Sequence, residues 1–224
     1  MTEIKNYEIV TPGTLLSENG EGGEGTYTEG KKVFSKFLGT VQVYDNRISV
    51  SPMTSSYIPH EGDNVIGRII EVSTKYWGVD IDAPYYTRLD SRDVNFRTEI
   101  GELDKYLALG DLIYARVFRI YANNSADVSM RGSNFGKLES NMVSKINISR
   151  IPRLIGKEGS MISMIKEMTG CEVLVGQNGV VWVNGPEDGK AAALAAVKFI
   201  DENYMNQNMV ESVRRLLENV RGKV

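Results

Sequence analysis

"RIPRLIGKEGSMISMIKEMTGCEVLV", residues 150–175, sets two glycines around a Lys-Glu pair and follows them at once with an amphipathic run. Apolar residues at 161, 162, 165 and 168 share one helical face, and Gly170 supplies a stop, so a helix is predicted from Ser160. Before the glycines, "IPRLIG" reads as a short helix whose proline suits the first turn. Outward from there, "MVSKINIS" alternates as a strand, and "CEVLVG" and "VVWVNG" form a strand pair around the turn "QNG". "PEDGKAAALAAVKFIDENY" is a helix opened by proline and acidic residues, as the macrodipole favours, and "NMVESVRRLLENV" gives one more. The order is β-α-α-β-β-α with a C-terminal helical extension. Gly156 and Gly159 have two readings: a corner packed as structure, or a place where a foreign backbone must come close.

Upstream, residues 59–132 change character. "DNVIGRIIEVS", "YWGVDID" and "YYTRLD" read as strands, "GELDKYLALG" as one or two helical turns, and "DLIYARVFRIYA" and "ADVSMRG" as two further strands. Five strands with a short helix between the third and fourth is the order of an OB-type barrel. Tyr76, Trp77, Tyr85 and Tyr86 cluster on its second and third strands. Such surfaces stack bases on aromatic rings, each worth on the order of 1–3 kcal/mol. Alternation forbids Tyr76 and Trp77 from both pointing inward, so at least one is expected at the surface.

Residues 1–58 look β-rich. "KVFSKFLGTVQVYDNRISVSPM" alternates in short stretches, with Tyr-Asp-Asn as a hairpin turn. Ahead of it, "SENGEGGEGTYTEGKK" holds GxGxxG (Gly20, Gly22, Gly25) and GxxxxGK (Gly25 to Lys31). No helix pattern follows either one, and Lys32 stands where a Ser or Thr would hold magnesium, so no nucleotide site is expected. A flexible glycine-rich loop over residues 20–30 is expected instead.

Composition narrows the chemistry. Cys171 and His60 are the only cysteine and histidine among 224 residues, which rules out an intrachain disulfide, a zinc ribbon or a histidine-rich metal centre. No cofactor, metal or catalytic constellation is expected. No apolar run approaches the ~20 residues needed to cross a bilayer, and the start lacks a signal-peptide pattern, so a cytoplasmic location away from membranes is expected. Net charge is −3, yet residues 132–224 hold 12 basic against 10 acidic side chains. Within them Lys137, Lys145, Arg150, Arg153 and Lys157 face only Glu139, so positive charge leads into the glycine pair.

The β-α-α-β-β-α order with "IGKEG" between its first two helices resembles a type I KH domain. In that family the GxxG loop clamps the backbone of about four nucleotides beside an apolar groove. The helix N-terminus offers free N–H groups and Lys157 a charge, whereas Glu158 repels phosphate. "VTPGTLL", "GTYTEGKKVFSKFLGTV", "YWGVDID" and "IPRLIGKEGSMI" together resemble the RNA-binding cap subunits of the archaeal exosome, over essentially the whole chain. The resemblance implies an all-β N-terminal half and an α+β C-terminal domain. These comprise a ring-docking module at 1–58, a five-stranded S1 barrel at 59–132 and a KH domain at 133–224. It further implies a non-catalytic protein, three copies of which sit on a ring of RNase PH-like subunits and guide single-stranded RNA, 3′ end first, into the pore. The zinc-ribbon cap of the same assembly is excluded by the single cysteine. The expected RNA-binding residues are Lys75, Tyr76, Trp77, Tyr85, Arg88 and Arg131 in the barrel, with Arg92 as a further phosphate partner. In the KH part they are Arg150, Arg153, Gly156, Lys157, Glu158 and Gly159. A free-standing S1/KH regulator is the alternative.

Overall fold

The computed structural model describes residues 8–44, 47–52, 57–99, 101–139, 142–203 and 208–221. They form two compact units, residues 1–55 and 56–224.

The described residues of the first unit form seven short strands: β1 (Ile9–Val10), β2 (Leu15–Ser17), β3 (Glu21–Gly22), β4 (Thr26–Glu29), β5 (Lys32–Ser35), β6 (Gly39–Tyr44) and β7 (Arg47–Pro52). They make two sheets, ordered β1-β6-β7-β3 and β2-β5-β4. Val10, Leu16, Val33, Val41, Ile48 and Val50 form the core. The β6–β7 hairpin is as expected, with Tyr44 opposite Arg47; Asp45 and Asn46 of its turn lie outside the described residues. The glycine-rich stretch corrects the expectation of a loop, because it contains β3 and β4. Its glycines serve close packing: a Cβ at Gly25 would stand 2.0 Å from the Val50 carbonyl oxygen, and its φ of +73° disfavours a side chain besides.

In the second unit β8 (Asn64–Val72), β9 (Tyr76–Asp80), β10 (Thr87–Asp90), β11 (Leu112–Ile120) and β12 (Ala126–Ser129) run in the order β12-β10-β9-β8-β11. The β11–β12 pairing closes them into the five-stranded barrel that the sequence predicts. A 3-10 turn at Leu103–Lys105 lies between β10 and β11, and β13 (Gly136–Leu138) extends the sheet beyond β11. Val65, Ile69, Trp77, Val79, Leu89, Ile113 and Val128 are among the side chains that fill the barrel.

The C-terminal domain has β14 (Val143–Lys145), α1 (Ile151–Ile155), α2 (Ser160–Thr169), β15 (Glu172–Val175), β16 (Val180–Asn184), α3 (Glu187–Glu202) and α4 (Met209–Arg221). The sheet is antiparallel and ordered β14-β16-β15. This is the expected βααββα arrangement with one extra helix. Leu154, Met161, Ile165, Val181, Ala196, Ile200, Val213 and Leu217 lie in its core. Cys171 is buried there, which fits an inert thiol.

The turn joining β15 to β16 has a second role. Asn178 is 2% exposed, and its side-chain amide donates to the carbonyls of Ile66 (2.8 Å) and Ile81 (2.9 Å) in the barrel. Its oxygen accepts from the Ile66 N–H at 3.3 Å. Beside it Gln177 N–H donates to Asn64 O, and Asn64 N–H to Gln177 Oε1. Ile66, Leu112, Val180 and Trp182 form an apolar cluster across the same junction, and Lys145 pairs with Asp82 at 2.5 Å. Barrel and C-terminal domain are thus pinned by buried polar and apolar contacts.

Candidate nucleic-acid interface

Strand alternation builds the barrel's outer face. On β9 the odd positions Trp77 and Val79 point into the core, so Tyr76 and Gly78 point out. Trp77 is 0% exposed and its indole N–H donates to Leu107 O at 3.1 Å. That corrects Trp77 as an RNA-stacking residue: it fills the barrel, and a base cannot reach it. Tyr76 is half-buried, Lys75 exposed, Tyr85 half-buried and Tyr86 49% exposed.

Register then assembles the row. Gly78 lies opposite Glu71 on β8 and opposite Arg88 on β10, and Arg88 lies beside Asp127 on β12. Tyr76 and Tyr86 both donate their hydroxyls to the Glu71 carboxylate, at 3.3 and 3.0 Å. Burial, and then the Glu71 bond, push the Tyr86 phenol well above the ordinary tyrosine range, so it remains a donor at neutral pH. Arg88 Nε donates to Asp127 at 2.6 Å, and its guanidinium also reaches the Tyr121 hydroxyl and ring. The Asp127 bond holds Arg88 even more firmly protonated than usual. Tyr86, Arg88, Tyr121, Asn123 and Asp127 line an open cleft of about 520 Å³. An aromatic wall, a guanidinium oriented by a carboxylate, and an asparagine suit a planar base beside a phosphate. Sequence reasoning missed Tyr121, Asn123 and Asp127: Asp127 joins the face through the parallel β10–β12 pairing, and Tyr121 and Asn123 lie beside it in the turn between β11 and β12.

Arg131 and Arg92 sit at the end of the same strands. Arg131 pairs with Asp93 at 3.3 Å and donates to Arg92 O, while Arg92 pairs with Asp90. The hydrogen bond from Arg92 keeps the Asp90 carboxyl below its ordinary range. Both guanidiniums remain largely exposed.

In the C-terminal domain the glycine loop turns sharply between α1 and α2. Gly156 has φ +75°, Glu158 φ +52° and Gly159 φ +79°. Lys157 and Glu158 are exposed, and nothing lies within 4 Å of a Cβ placed on Gly159. Lys157 has no ion pair among the described residues. The loop is therefore presented to solvent, and the contact with the barrel is made by Gln177 and Asn178 instead. Arg153 is half-buried on α1. Arg150 is corrected as an RNA-binding residue: its side chain is 16% exposed and pairs with Asp201 at 2.9 Å near the end of α3. The positive run read from the sequence is largely neutralised through space, since Lys137 pairs with Asp111 and Lys145 with Asp82.

Comparison with known proteins accounts for the chain in three pieces. Residues 7–54 match the family model described as the exosome RNA binding protein RRP4 N-terminal domain. Residues 56–119 match the RRP4 S1 domain, and residues 142–189 a KH domain. The exosome complex component Rrp4 of Thermoplasma acidophilum is 35% identical over 96% of this chain and 92% of its own length. The protein of that name from Thermococcus kodakarensis is 40% identical over 96% and 86%. A crystal structure provisionally assigned as an exosome complex RNA-binding protein superposes with a TM-score of 0.69 at 31% identity, over 75% of this chain and 98% of that one.

Proposed function

We propose that this chain, which belongs to the Rrp4 family of exosome complex components, is a non-catalytic cap that binds single-stranded RNA and delivers it to a ring of RNase PH-like subunits. The observation that carries this reading is the outer barrel face, where Tyr86, Arg88 and Tyr121 gather around one open cleft and Tyr76 shares the Glu71 carboxylate with Tyr86. Flat rings and a fixed guanidinium grip RNA without demanding a sequence. The exposed Gly156–Gly159 loop supplies a second backbone contact, with Lys157 as its positive charge and Glu158 limiting its strength.

Docking falls to the first unit. Ile9, Phe37, Leu38, Val43 and Tyr44 are large apolar side chains that it leaves exposed, with Tyr44 at 80%. Exposed apolar surface of this kind marks an interaction site. Three copies around the pore, in the cytoplasm, complete the proposal. Among the described residues no group of His, Cys, Asp and Glu could hold a metal ion.

Co-purification from native extract tests this. A stoichiometric complex with ring subunits, lost when residues 1–55 are deleted, is the expected result. Recovery of the chain alone at native concentration would favour a free-standing RNA-binding regulator. Degradation of RNA by the purified chain, with phosphate or a divalent metal supplied, would overturn the non-catalytic assignment.

A further inference from the structure

Glu71 is an acidic side chain in the middle of a face read above as binding a polyanion. Electrostatics alone makes it a liability there, because a carboxylate repels phosphate. Its surroundings give it another role. Glu71 lies directly across from Gly78, next to the register shift between Ile69 and Glu71 in the β8–β9 ladder. A bulge of this kind re-aims a side chain. Gly78 makes the space: a Cβ there would stand 2.8 Å from Glu71 Cβ, 3.2 Å from its Oε2 and 3.4 Å from the Tyr86 hydroxyl. One carboxylate oxygen accepts from Tyr76, which opens β9, and the other from Tyr86, which directly precedes β10.

We propose that Glu71 is a positioning residue that braces Tyr76 and Tyr86 as one aromatic platform for RNA bases, with Gly78 holding open the gap across which it reaches. The inference rests on the reading of this face as the RNA site. Two half-exposed tyrosines otherwise surrender rotamer freedom whenever a base stacks on them. A shared carboxylate removes that freedom before RNA arrives, so less is lost on binding. It also keeps phosphate away from the platform and leaves backbone contact to Arg88 and its neighbours.

The test turns on a difference of sign. Binding of a short oligoadenylate to the full chain is measured by fluorescence anisotropy for wild type, Glu71→Ala, Glu71→Gln, Tyr86→Ala and the Tyr86→Ala/Glu71→Ala pair. If Glu71 were only a stray negative charge, Glu71→Ala would tighten binding. Bracing requires the opposite: Glu71→Ala weakens binding roughly three- to tenfold, a fraction of what losing a stacked base costs. Glu71→Gln, which drops the charge but keeps an acceptor, then recovers most of the affinity. Glu71→Ala also costs less in the Tyr86→Ala background than it does alone, because only the Tyr76 half of the brace is left to lose. A thermal melt excludes general damage, since Glu71 is exposed and its loss leaves the core intact. Tighter binding by Glu71→Ala, or additive losses in the pair, overturns the inference while leaving the RNA site standing. Unchanged affinity in Tyr86→Ala, or no binding by wild type, overturns the site and the inference with it.

Discussion

Replacing Asn178 with alanine removes three hydrogen bonds from the junction between barrel and KH domain, to Ile66 N, Ile66 O and Ile81 O. The side chain is 2% exposed, so water does not readily take its place. A hydrogen bond contributes a net ~1 kcal/mol, and a buried group left unpaired costs ~1–3 kcal/mol. Three groups lose a partner together, and the emptied space relaxes in part, so the loss should be about 2–4 kcal/mol. For a unit of this size each kcal/mol moves the melting temperature by about 2–4 °C. Asn178→Asp should cost more than Asn178→Ala at neutral pH: it keeps the volume but aims a carboxylate at two carbonyl oxygens with no proton to donate. Urea unfolding of the full chain followed by tryptophan fluorescence isolates the effect. The only tryptophans, Trp77 and Trp182, both lie in the second unit, one in the barrel and one at the junction. A loss below about 1 kcal/mol, or an aspartate milder than alanine, would refute the reasoning.

Trp77→Ala should destabilise the same unit by roughly 3–5 kcal/mol, as a fully buried aromatic does, and any fall in RNA affinity should track unfolding in a parallel melt. Lys157→Asp with Glu158→Asp should weaken RNA binding and lower the salt slope by about 0.7 for one lost phosphate contact. The melting temperature should not change, because this loop does not brace the barrel; a lowered one with unchanged affinity would contradict its exposed placement. Gly25→Ala should unfold the first unit, seen as lost strand signal in circular dichroism, since its Cβ overlaps the Val50 carbonyl.

The parts of this molecule that follow from local pattern were legible in the chain. The helix from Ser160 to Thr169 begins after Gly159 and stops at Gly170 as its spacing predicts, and the barrel strands fall in the expected order. The direction of Trp77 was legible too, although Trp77 is named above among the expected RNA-binding residues. In "YWGVDID" the apolar residues Trp77, Val79 and Ile81 share one parity, and all three are buried. What local pattern could not show was partnership across distance. Lys137, Lys145 and Arg150 look unopposed in sequence, yet Asp111, Asp82 and Asp201 reach them from other segments. "QNG" satisfies hairpin chemistry so fully that nothing in it announces the buried bonds of Asn178 to β8. Gly23 and Gly25 looked like freedom and proved to be proximity, because the strand they pack against, β7, comes more than twenty residues later.

The central claim is that RNA lies on the outer barrel face and over the glycine loop. Photo-crosslinking of thiouridine-substituted single-stranded RNA to the chain within its native complex, with adducts mapped by mass spectrometry, tests it most directly. Adducts are expected at Tyr76, Tyr86 and Tyr121 and in residues 153–160, with none at Trp77. Adducts confined to the first unit or to α3 and α4 would contradict it.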